Sequence, residues 1–275
     1  MTTATTIAPM PGARVTQGRV LASEWVKFRS LRSSYVALAA TVVALVGFGI
    51  LISAVTANRW PHMRAAEQAH FDPTVTSLRG LYLAQLIVGV LGVLVVSGEY
   101  STGMIRASLS AAPRRLPVLW AKLAVFAVVT FVVTTIGSFI AFFAGQAMLS
   151  SQHIQTTLGA PGVLRAVLGT ALYLTVIGML GVALGWILRH TAGAIATLFG
   201  LVLILPALVS ALPDSWSSHI DPYLPSTAGQ ALTAVRADPA DLAPWTGFAV
   251  FCIYLVVAVV AAAVLLRRRD ALAAG

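Results

Sequence analysis

The chain has 275 residues, 58% of them hydrophobic and 10% charged, with a mean hydropathy of +0.88 and a net charge of +9. Soluble domains carry about 25% charged residues, so this composition excludes an ordinary soluble domain and points to the bilayer as solvent. The single cysteine, Cys252, lies inside an apolar run; it excludes an intrachain disulfide and reads as a small packing residue.

Residues 1–18, rich in Thr, Ala, Pro and Gly, read as a disordered tail. Next comes a helix over 19–33, in which Leu21, Trp25, Phe28 and Leu31 recur at helical spacing while Lys27 and Ser30 face away. Glu24 and Arg32 cut into its apolar face. The pattern predicts an amphipathic helix on the inner leaflet, with Glu24, Trp25, Lys27, Phe28 and Arg29 as its characteristic residues.

Spanning helices need about 20 mostly apolar residues. Six such runs follow, at about 35–57, 78–97, 119–144, 163–188, 192–212 and 246–266, forming an all-α, six-span membrane domain over 34–266 with a tail at 267–275. The turn between the fourth and fifth, Arg189 to Thr191, fits a tight helical hairpin. With six spans both termini share a side. That side carries all of the 18 Lys and Arg residues except Arg59, Arg64, Arg79, Arg165 and Arg236. Only three of the 9 acidic residues, Glu24, Glu99 and Asp270, join them. Basic residues stay cytoplasmic, so both termini are expected inside. This asymmetry accounts for the net charge, and no nucleic-acid partner is expected.

The segment from Ser97 to Lys122 is the long internal loop. A short helix over 100–112, stopped by Pro113, is expected there, with Glu99 at the mouth of the second span. Arg114, Arg115 and Lys122 flank the start of the third. The outer segment 213–245 contains five prolines. It reads either as a connecting loop or as short external helices, with Trp216, Tyr223 and Trp245 at the outer interface. Gly181 and Gly185, four apart, permit close helix approach, within the chain or as a dimer seam.

Chemistry-bearing motifs are missing. No G-x-x-x-x-G-K-[ST] loop occurs, and the only lysines, Lys27 and Lys122, follow no glycine-rich turn. No H-E-x-x-H occurs and the five histidines are scattered. No catalytic residue, metal ligand or cofactor of this chain is expected. Asp, Glu, Lys and Arg are absent from the middle of the spans, which counts against a proton relay. Arg79, Lys122 and Arg165 lie near span ends, where long side chains reach the interface. Neutral polar residues, among them Gln85, Thr134, Ser138 and Thr175, serve either helix–helix hydrogen bonding or a translocation path.

Two stretches carry a family resemblance: E-W-V-K-F-R-S-L-R-S at 24–33 and G-E-Y-S-T-G-M-I-R at 98–106, followed by P-R-R and Lys122. Together with the six-span layout, which covers nearly the whole chain, they resemble the permease subunits of bacterial type-2 ABC exporters. The resemblance implies a plasma-membrane protein that pairs with a separate ATPase subunit, on which ATP and Mg bind, and with a second permease copy or paralogue. It implies a coupling helix in the loop, with Glu99, Tyr100, Arg106, Arg114 and Arg115 toward the ATPase and the interfacial helix beside it. Two other classes stand as alternatives: a membrane scaffold or sensor that recruits a cytosolic partner without transport, and a secondary transporter or intramembrane enzyme.

Overall fold

The computed structural model describes residues 16–105, 115–236 and 240–268, and among these every regular element is helical. Helix α1 spans Gln17–Ser30, its first turn capped by the Thr16 hydroxyl, which accepts from the Arg19 amide. Gln17 and Gly18, expected in the tail, are therefore helical. Leu31 adopts an extended conformation and breaks the chain direction, so that α2 (Arg32–Arg59) starts afresh. Two short helices follow, α3 (Ala65–Ala69) and α4 (Pro73–Ser77). The Asp72 carboxylate caps α4 by accepting from the Thr74 and Val75 amides.

The long helices are α5 (Leu81–Ser101), α6 (Leu116–Leu149) and α7 (Val163–Leu188). Next, α8 (Thr191–Phe199) runs through a π-helical stretch at Gly200–Ile204 into α9 (Leu205–Ser210), just ahead of Pro206. Short helices α10 (Asp214–Ile220) and α11 (Pro225–Gln230) precede α12 (Pro244–Arg268). Among the described residues, six helices, counting α8 to α9 as one, are long and apolar enough to cross a membrane. Helix α6, with 34 residues, is about 51 Å long at about 1.5 Å per residue, more than the roughly 30 Å hydrocarbon layer needs.

Helix α7 is the centre of the bundle: 78% of its apolar window is buried, against 22% for α8–α9 and for α12. Its seam with α5 is made of small residues. A Cβ on Gly92 would collide with the Gly178 carbonyl oxygen, and one on Gly181 with that of Gly89. Backbones in such contact gain dispersion along their whole length, which replaces the hydrophobic drive that lipid removes. Gly185, whose added Cβ would meet Val96, belongs to the same seam, so the Gly181–Gly185 pair is used within the chain.

The ends of the bundle are tied differently. At the end opposite α1, the Gln146 amide donates to the Pro73 carbonyl and the Ser77 hydroxyl, while its oxygen accepts from the Thr156 amide. Arg165 donates to the Ala234 carbonyl and Arg236 to that of Ala69. From 221 to 233 the segment after α10 is a series of short helical turns. Leu232 is fully buried, and Gly229 sits between the rings of Tyr173 and Phe251. Trp216, Tyr223 and Trp245 stay exposed.

Candidate functional site

At the α1 end, four charged side chains from three helices converge. Lys122 of α6 places its ammonium 2.7 Å from Glu24 of α1 and 2.8 Å from Glu99 of α5. Lys27 lies 2.6 Å from the other oxygen of Glu24 and 3.5 Å from Glu99. The four form a closed ring of alternating charge with no net charge. Lys122, Glu24 and Glu99 expose 4%, 3% and 7% of their side chains, whereas Lys27 exposes 26%. They line a cavity of about 20 Å³, room for about one water molecule.

Local sequence explains the convergence. Glu24 and Lys27 are three apart on one helix and therefore neighbours. Phe28, one turn beyond Glu24, packs edge-on against Phe126, ring centres 6.4 Å apart, and sets α1 against α6. On α6, Phe126 and Lys122 are likewise one turn apart. Burial opposes the charged form of Lys27, but the hydrogen bonds and charges of Glu24 and Glu99 outweigh it and raise its pKa above the usual lysine value. An ammonium on a flexible stem suits a position between two carboxylates, which a planar guanidinium fits less compactly.

This arrangement corrects four expectations. Lys122 does not reach out to the interface; it is buried and doubly paired. Glu24 does not interrupt the buried face of α1 but belongs to it with Val20 and Phe28, while Trp25 and Leu31 are 47% and 42% exposed. Glu99, which the resemblance places toward the ATPase, is buried and turned to Lys27 and Lys122. Tyr100 is also not the start of a separate helix: α5 continues to Ser101, Gly103 takes the left-handed region, φ 73°, and a new helical turn starts at Met104. Ile105 is buried just after it. Residues 106–112 of the expected coupling helix, with Arg106 and Arg114, lie outside the described residues.

Around the ring, the remaining expected residues have defined places. Tyr100 packs edge-on to Trp186 at 6.0 Å, with the Arg189 guanidinium 5.4 Å from its ring centre. Arg189 itself takes a left-handed conformation that lets α7 turn into α8 within two residues. The Thr191 hydroxyl donates to Ser97 at 2.9 Å, so the turn is fastened to the end of α5. Arg115 donates to the Leu266 carbonyl near the end of α12, a basic group where helix C-termini favour one. Arg29 and Trp25 are exposed.

The neutral polar residues Gln85, Thr134, Ser138 and Thr175 are all buried. The Tyr173 hydroxyl donates to Gln85 at 2.6 Å and accepts from Gln230 at 3.3 Å. Thr134 donates to the Thr130 carbonyl, with that of Ala171 farther off, and Thr175 to the Ala171 carbonyl. The Ser138 hydroxyl is buried without a hydrogen-bond partner among the described residues.

A helical chain with six helices of membrane-spanning length and apolarity suits a multi-pass membrane protein. Compared with known proteins, the chain matches no protein-family model and no curated sequence.

Proposed function

We propose that this chain is the membrane subunit of an ATP-driven exporter of the type-2 ABC class. On this reading the six long helices span the bacterial plasma membrane with both termini in the cytoplasm. Two such subunits work with two copies of a separate ATPase, which binds ATP and Mg. The loop between α5 and α6 docks on that ATPase, and this chain carries out no hydrolysis itself.

The charge ring is the observation that supports this best. The loop leaves α5 just after Glu99 and returns to α6 just before Lys122, and the ring fastens both positions to α1. A displacement imposed on the loop would then move α1, α5 and α6 together. The Tyr100–Trp186–Arg189 cluster and the Ser97–Thr191 hydrogen bond would pass it to the turn between α7 and α8. Glu99 acts here as a transmitting group, and the docking contacts fall to the loop beyond Gly103. The Gln85–Tyr173–Gln230 chain and Thr134, Ser138 and Thr175 would face the path when the helices part. Without a proton relay in the spans, the energy comes from the partner.

The test is to express the chain with the phosphate-loop ATPase of its own genetic neighbourhood and purify on a tag carried by this chain. The ATPase is expected to co-purify, and Arg106→Ala to weaken the association. Glu99→Gln is expected to keep the ATPase bound and change its activity. A folded wild-type chain that retains no ATPase would contradict the exporter reading and favour a scaffold.

A further inference from the structure

We infer that the groove between α1, α2 and α6 is a binding site for an anionic phospholipid of the inner leaflet. The groove has a volume of about 320 Å³. Its wall is hydrocarbon: Leu38 and Val42 from α2, Val129 and Val133 from α6. Its rim is of a different kind, with Trp25, Arg29 and Tyr35. Aromatic residues with a polar atom favour the headgroup layer, and Trp25 and Tyr35 are 47% and 52% exposed. The wall therefore has the chemistry of acyl chains and the rim that of headgroups, in the order a lipid standing upright would need.

Charge decides which lipid. No acidic residue lines the groove. Glu24, on the same helix, is held by Lys27 and Lys122 inside the ring. Arg29 is exposed and makes no hydrogen bond or ion pair among the described residues. A guanidinium in this position offers paired N–H donors to a phosphate, which it binds with two parallel hydrogen bonds. A zwitterionic headgroup brings its own ammonium to the same place and is disfavoured by comparison. A lipid seated there would brace α1 against α2 on the side that the charge ring leaves open.

The inference rests on one part of the proposed function, the position of α1 at the inner leaflet. Its test uses this chain alone, so that loss of ATPase binding and loss of lipid binding are separate results. The delipidated full chain in detergent is mixed with phosphatidylglycerol or phosphatidylcholine at equal concentration, and retained lipid is read by native mass spectrometry. Phosphatidylglycerol should be retained several-fold over phosphatidylcholine. Arg29→Gln, at an exposed position that folding does not need, should abolish the preference, and Arg29→Lys should keep part of it. Ala39→Trp, which fills the groove, should reduce retention of both lipids. A benzophenone amino acid at position 39 should give chain–lipid adducts. Equal retention of the two lipids by the wild type, a preference that survives Arg29→Gln, or chain–chain adducts showing a second copy in the groove would each overturn the inference.

Discussion

The α1 end and the middle of the bundle both bury polar groups, but by opposite means. The α1 end uses full charges, Glu24, Lys27, Glu99 and Lys122, which come from three helices and cancel one another. Farther along the bundle the groups are neutral: buried Gln85 and Tyr173 share a hydrogen bond, and Tyr173 accepts a second from the half-buried Gln230 of the segment after α10. A buried charge ring holds firmly because removal of one member leaves an unbalanced charge. A neutral network in a membrane bundle contributes less and parts more easily. The contrast predicts a larger loss of stability when the charge ring is opened than when the neutral network is.

The largest effect should come from opening the ring. Lys122→Met leaves two buried carboxylates with only the partly buried Lys27 and should cost about 3–5 kcal/mol, read as a fall in melting temperature or folded yield. The double variant Lys122→Met with Glu99→Leu restores charge balance between Glu24 and Lys27. It should be more stable than Lys122→Met alone, and a double variant worse than the single one would break the comparison.

Gly92→Ala should follow. Its new Cβ would meet the Gly178 carbonyl oxygen, and forcing α5 and α7 apart should cost about 1–3 kcal/mol. Gly47→Ala, where nothing lies within 4 Å of the added carbon, should stay within about 0.5 kcal/mol of the wild type. In the neutral network, Tyr173→Phe removes the donor to Gln85 and should cost only about 1 kcal/mol. A loss as large as that of Lys122→Met would put the firm region in the wrong place.

The smallest effect concerns pH. The folded-state pKa of Lys27 lies above its unfolded value of 10.5. Its stabilising contribution is therefore complete below pH 10.5 and is lost as pH rises through the folded value. The melting difference between the wild type and Lys27→Gln should stay constant from pH 7 to 9 and shrink only above pH 10.5. Shrinkage near neutrality would contradict the ring geometry.

The helices were legible because apolar run length is a local property. The run at 163–188 coincides with α7, and the others differ from their helices by a few residues at each end. The differences lie mostly where polar residues extend a helix beyond its apolar part, as from Glu99 to Ser101. The ring was not legible by pattern. Periodicity classes Glu24 as a polar residue on an apolar face, and its neutralising partner Lys122 lies 98 positions away by residue number. Only the packing of α6 on α1 reveals it. One signal was present: both lysines of an otherwise arginine-rich chain, Lys27 and Lys122, fall in the ring. Likewise, glycine spacing announced close approach but not the partner helix, which depends on how α5 and α7 meet.

The most direct measurement of the central claim is the ATPase activity of the purified complex in three forms: wild type, Glu99→Gln, and the conservative Glu99→Asp. The account predicts that all three retain the ATPase, that Glu99→Gln alters its activity, and that Glu99→Asp, which keeps a carboxylate between the two lysines, stays closer to wild type. Activity unchanged by Glu99→Gln in a folded complex would contradict a transmitting role for the ring, and a wild-type chain that binds no ATPase would contradict the exporter itself.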